Sequence, residues 1–159
     1  MRLLEDMLGR DARLDAKRVT VVEWYDGIVS AVVDLRENAT YLCSLLAWHP
    51  QHESRVFVVI PLVVAEAQQL RDLLGETPNE AVDASVWRAI AEMLDRVRRS
   101  YSGSVIVFAA DDLQSTVSAW KAVDARNVPE LETAALDAEG ALSEARLRHW
   151  LSLLGSPNT

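Results

Sequence analysis

A single cysteine, Cys43, stands among 159 residues, so no disulfide can close within the chain. That fits a reducing, cytoplasmic setting. Phosphate-cradling glycine motifs are missing: neither GxxxxGK[ST] nor GxGxxG occurs, and without them nucleotide hydrolysis has no anchor for its phosphates. There is no GxSxG elbow to present a nucleophilic serine. Basic residues are the minority, 16 against 24 acidic, for a formal net charge of −8. A nucleic-acid partner needs a basic face, and so does an anionic membrane surface, so neither is expected. No stretch approaches the roughly 18 uninterrupted apolar residues of a membrane span. The opening MRLLEDMLGRDARLDAKR is charged throughout and reads as neither signal peptide nor span. There is no internal repeat and no low-complexity segment.

The chain does have enough apolar material for a core. Half of its residues are hydrophobic and a quarter charged, an ordinary globular balance. Its length suits one α+β domain, 1–159, able to bury a core without disulfide or metal staples. The expected organisation is a sheet over about 18–62 and a helical second half over about 63–154.

Residues 3–14 have the spacing of a short helix, weakened by Gly9. VVEWYDGIVSAVV, residues 21–33, then reads as a hairpin, because Asp-Gly between β-rich runs suits a two-residue turn with positive φ at both positions. With Asp26 and Gly27 as the loop, Tyr25 faces Ile28, Trp24 faces Val29 and Glu23 faces Ser30. Alternation then places Thr20, Val22, Trp24, Val29, Ala31, Val33 and Leu35 on an inner face. Glu23, Tyr25, Ser30, Val32 and Asp34 fall on a wetter one, where Glu23 and Asp34 meet water or a partner. Arg36-Glu37-Asn38 is a polar break. Strands follow over 39–49 and 55–62, the second apolar on both faces and so interior or covered by helices. Four strands with short links predict an antiparallel meander.

After Pro61 the period changes. Val63, Ala67, Leu70 and Leu74 form a helical stripe ending at Gly75. Val86, Ile90, Met93, Leu94, Val97 and Tyr101 form a second, with Glu92–Arg96 and Asp95–Arg99 pairs on its wet side. SVIVFAA, 104–110, returns to strand character, and this strand joins or continues the sheet; a parallel placement is the alternative. Residues 113–123 fit helix or strand equally. Residues 124–144 carry six carboxylates against Arg126 alone. Leu147, Trp150, Leu151 and Leu154 mark a last amphipathic helix. The fold class predicted is α+β, with an antiparallel sheet packed on one face by helices.

Candidate chemistry is sparse. Trp24-Tyr25-Asp26-Gly27 offers aromatics and a carboxylate to a ligand, although turn grammar alone accounts for Asp26 and Gly27. His49, His52 and Glu53 lie together in HPQHE, but a metal wants a third strong ligand, and the only other histidine is His149, so no metal is expected. Asp111 and Asp112 end an apolar strand, a position where carboxylates hold magnesium in nucleotide enzymes. Without a phosphate loop, capping of a following helix explains them better. Cys43 lies among apolar residues and reads as a buried thiol. Trp87 sits beside the stripe of its helix and is the best interface candidate among five tryptophans.

WYDG, with its β-rich return and a later apolar strand ending in Pro61-Leu62, resembles small uncharacterised bacterial proteins that share a Tyr-Asp-Gly hairpin. Those proteins often follow the Gly with Pro, where this chain has Ile28. The resemblance covers the second quarter to third of the chain. It implies an antiparallel sheet followed by helices and carries no activity.

Three functional readings follow. The first is a small acidic bacterial protein-interaction module, immunity-like or accessory, that engages a basic partner surface through Glu23, Tyr25, Asp26, Trp87, Glu130 and Glu132. The second is a structural subunit of a homo-oligomer. The third is an enzyme acting through carboxylates such as Glu23, Asp111 or Asp112. None of the three calls for a cofactor.

Overall fold

The computed structural model describes residues 16–24, 26–35, 39–74, 84–114, 116–128 and 144–154, with the side chains of 74 and 84–87 outside the description. The helix expected over 3–14, the break at 36–38, Tyr25, Glu130 and Glu132 lie outside the described residues, as does the side chain of Trp87.

Among the described residues, six strands form one sheet: β1 (Ala16–Trp24), β2 (Ile28–Leu35), β3 (Thr40–Ala47), β4 (Arg55–Pro61), β5 (Ser104–Ala110) and β6 (Ala119–Asp124). Their order in the sheet is their order in the chain, and every neighbouring pair is antiparallel. Helices α1 (Val64–Leu74) and α2 (Ala84–Ser100) fall between β4 and β5, and α3 (Glu144–Leu153) follows β6. The chain is α+β, and β5 lies antiparallel to both neighbours rather than parallel to either.

The central strands are β-branched and apolar on both sides because both sides are covered. One cluster joins Val32, Leu42, Val58, Ile60 and Val107 to Leu70 of α1, Ile90, Met93, Leu94 and Val97 of α2, and Leu147 and Trp150 of α3. The α2 members fall at helical spacing, which is how a single face of that helix reaches the sheet. On the alternate residues a second cluster gathers Ala31, Val33, Cys43, Phe57, Val59, Ile106 and Phe108, with Leu113 and Val117 from the β5–β6 connection; no residue of a described helix belongs to it. The Phe57 and Phe108 rings lie 5.6 Å apart across β4 and β5. Burying each such side chain gives about 1.5–3 kcal/mol, so these two layers outweigh any surface ion pair.

The expected face assignment of the first hairpin is corrected. Asp26 and Gly27 do occupy the reversal, with φ of 50° and 140°. Glu23 does pair with Ser30. But Trp24 pairs with Ile28, Val21 with Ala31 and Val19 with Val33, and irregularities flank Glu23 on both sides. Between Val21 and Glu23 the extra residue is on β1, and between Glu23 and Trp24 it is on β2, so Trp24 and the pairs from Arg18 to Val21 stand one residue off the expected register, a shift that sends a side chain to the opposite face. Val19 therefore joins the cluster of Ala31 and Val33, while Val22 joins that of Val32. Trp24, expected inside, is 68% exposed. Asp34, expected in water, keeps only 13% of its side-chain surface.

Two further points differ or resolve. No helix begins at Asp111-Asp112; Asp112 Oδ1 instead accepts from the Gln114 backbone N–H at 2.6 Å and closes a turn. The ambiguity of 113–123 ends in a strand from Ala119, fixed by pairing of Trp120 with Phe108. Among the described residues, no helix is long and apolar enough to cross a membrane.

Candidate functional site

The first hairpin is held from beneath by Arg55, the first residue of β4. Arg55 is 5% exposed and donates through Nη2 to the Asp26 carbonyl and through Nη1 to the Ile28 carbonyl at 3.3 Å. Its guanidinium carbon lies 4.2 Å from the centroid of the Trp48 ring, a cation–π contact. Burial lowers the Arg55 pKa, and the Asp26 carboxylate opposes that shift. The positive φ of Gly27 suits glycine, and a Cβ there would crowd the Arg55 guanidinium, with Nη1 at 2.7 Å. The turn is thus fixed by a buried cation, and Trp24 stands in solvent beside it.

Glu23 belongs to a different network. It accepts from Ser30 Oγ at 2.8 Å and lies 3.9 Å from Arg98 Nη2 on α2. Arg98, 5% exposed, also donates through Nε to Ser44 Oγ at 3.2 Å and lies 3.5 Å from Asp95 Oδ1. Burial lowers the Arg98 pKa against the pull of Glu23 and Asp95. The carboxylate expected at a binding surface therefore helps seat α2 on the sheet. The structure joins Glu23 to Arg98 and Asp26 to Arg55, in separate networks.

The remaining candidates disperse. Asp111 and Asp112 are exposed beyond β5. The His49 and His52 rings meet edge-on at 5.7 Å, and His49 Nε2 lies 3.9 Å from Glu144 Oε2 at the start of α3. No group of three or more metal-ligating side chains occurs among the described residues. Cys43 is fully buried, and desolvation raises its pKa. Of the acidic segment, the described ends are already matched: Asp124 bonds Arg126 twice through side chains, and Glu144 bonds Arg148. The Arg126 side chain and backbone N–H hold the Asp124 pKa at about 2.

A groove that the sequence did not announce opens where β1, β2 and α1 meet. It encloses about 540 Å³ and is lined by Lys17, Arg18, Asp34, Leu35, Thr40, Val64 and Arg71. Asp34 is its hub. It accepts from Arg71 Nη2 at 2.6 Å, from Thr40 Oγ1 at 2.9 Å and from Arg18 Nε at 3.2 Å. Arg71 Nη2 also donates to Thr40 Oγ1 at 2.9 Å. Burial pushes the Asp34 carboxyl up, but the Thr40 hydroxyl, Arg71 and Arg18 together outweigh it and hold the pKa below the ordinary value. The one available signal was a carboxylate inside the apolar run VVDL, which needs a counter-charge if the strand is covered.

Comparison with family models, curated proteins and solved structures gives no match for this chain.

Proposed function

We propose that this chain is a small acidic protein-interaction module, of the immunity-like or accessory kind found in bacteria, and that its hairpin tip is the contact. The reading includes a single domain with its helices on one side of the sheet, working in the cytoplasm. One observation carries it: Trp24 is 68% exposed, whereas Trp48 and Trp150 are buried. Tryptophan is enriched at binding hot spots, and a rigid turn presents it with little ordering cost. Arg55 supplies that rigidity. Asp26 beside it and the net charge of −8 favour a basic partner surface.

The test is a photo-reactive tryptophan analogue at position 24, which keeps the indole, with a photo-crosslinking residue at exposed Gln69 as control. A defined adduct that needs position 24, weakens with salt and competes with the native protein but not with Trp24→Ala supports the reading. Equal labelling from both positions, or none, overturns it.

The open sheet supports a second reading, a structural subunit of a homo-oligomer. Among the described residues, strands β1 and β6 are the sheet's edges, and an edge is a template for another strand. Light scattering that finds a monomer at high concentration removes it. Glu23, Asp111 and Asp112 do not converge, so their arrangement lends nothing to a carboxylate-using enzyme.

A further inference from the structure

We propose that the groove between β1, β2 and α1 binds a compact dianion on a small organic ligand, a phosphomonoester or a dicarboxylate. Arg71, Arg18 and Lys17 hold the charge, and Val64 provides an apolar rim. This goes beyond the hairpin reading and does not depend on it.

Charge comes first. In a chain of net −8, the described residues that line the groove include three cations and one carboxylate. Their excess is two positive charges, the complement of a dianion.

The second observation is how little of each arginine Asp34 uses. Arg71 makes all its bonds through Nη2 and Arg18 makes its one through Nε. Among the described residues, Arg71 Nε and Nη1 and both terminal nitrogens of Arg18 remain for a ligand. A guanidinium fork matches the oxygens of phosphate and carboxylate two at a time, as a lysine does not. Asp34 thus acts as a positioning residue. It fixes two forks in advance, and its own charge is neutralised by them, so it does not repel an incoming anion as a bare carboxylate would. Thr40 completes the hold on Asp34 and Arg71.

Access and size agree. Arg18 is 62% and Arg71 36% exposed in their side chains, so both are reachable without rearrangement. Val64 is 86% exposed and gives the groove an apolar rim. The volume lies within the range of small-molecule sites, about 300–1,000 Å³.

Calorimetric titration of the full chain at low ionic strength tests this with inorganic phosphate, phenyl phosphate and succinate, and with acetate as the monoanion. Saturable binding of a phosphate or of succinate, with acetate at least about tenfold weaker, is expected. The arm that binds tells phosphomonoester from dicarboxylate; binding of both establishes the shared dianion chemistry. Lys17→Ala and Arg18→Gln change exposed side chains and leave the fold intact. Each should weaken binding about tenfold, the loss of one charge-assisted bond. Trp24→Ala should leave it unchanged, so failure here and failure of the hairpin reading are separable. No saturable heat from the folded protein at millimolar ligand overturns the proposal. So does an affinity that Lys17→Ala and Arg18→Gln leave unmoved.

Discussion

Arg98 reaches from α2 to place its Nε 3.2 Å from Ser44 Oγ on β3, a hydrogen bond between two buried side chains fifty-four residues apart in sequence. The same guanidinium lies 3.9 Å from Glu23 on β1. One side chain therefore ties the longest described helix to two strands. Replacing Arg98 by Ala removes a buried cation from between Glu23 and Asp95. It should destabilise the fold by about 3 kcal/mol, the low end for a broken buried pair because Glu23 keeps contact with water. Arg98→Met retains the packing of the stem and should cost less. Urea unfolding of both variants at neutral pH measures the two shares.

Asp34 gives stability a dependence on acid. Its pKa is lower folded than unfolded, because the Thr40, Arg71 and Arg18 contacts outweigh burial. Such a group contributes stability above its unfolded pKa of about 3.9, and the contribution is lost as pH falls through the folded value. Asp34→Asn should lower stability at neutral pH by about 1–2 kcal/mol. The gap to the native protein should close as pH falls below about 4. Melting curves of the two proteins from neutral to strongly acidic pH provide the comparison; a gap that stays constant would show that Asp34 titrates alike in both states.

At the hairpin tip, Gly27→Ala meets two obstacles, a φ of 140° and the Arg55 guanidinium. Together they should cost about 2 kcal/mol. Arg55→Ala removes only the second. In a double-mutant cycle the two substitutions should therefore couple by about 1 kcal/mol, the remainder being backbone strain. Purely additive effects would mean that the guanidinium does not limit the space at Gly27.

Cys43 should be inert in the native protein. It is fully buried among apolar residues of the sheet, and desolvation raises its pKa. An alkylating reagent should label it only at the rate of unfolding, with labelling accelerated by denaturant. Cys43→Ser should destabilise by about 1–3 kcal/mol through a buried hydroxyl, and Cys43→Ala by less.

Local chemistry made much of the sheet readable and little of its surface. VFVVI, 56–60, and VIVFAA, 105–110, are apolar on every residue and rich in β-branched side chains, and both became central strands buried on both faces. The stripe through Ile90, Met93, Leu94 and Val97 has the spacing of the helix it forms. The turn at Asp26-Gly27 was also written locally, in the tolerance of those residues for positive φ. The faces of β1 were not. They depend on an irregularity beside Glu23, and nothing in VVEW marks where an extra residue is absorbed. The groove was hidden for another reason. Asp34, Thr40 and Arg71 converge only after the chain has crossed β3 and β4 and entered α1. No spacing rule joins residues thirty-seven apart. What sequence did offer was the oddity of Asp34 itself, one carboxylate in a covered strand.

Because strand order in space repeats strand order in the chain, synthesis and assembly can run in the same direction. Strands β1 to β4 can zip up one after another as each leaves the ribosome, with short closures throughout. The next addition must wait, since α1 and α2 are made before β5 arrives to pair with β4. During that interval β4, apolar on both faces, forms the growing margin of an unfinished sheet. A nascent chain stalled there would present its stickiest ribbon to its neighbours, so the moment of greatest vulnerability falls between the making of β4 and the making of β5.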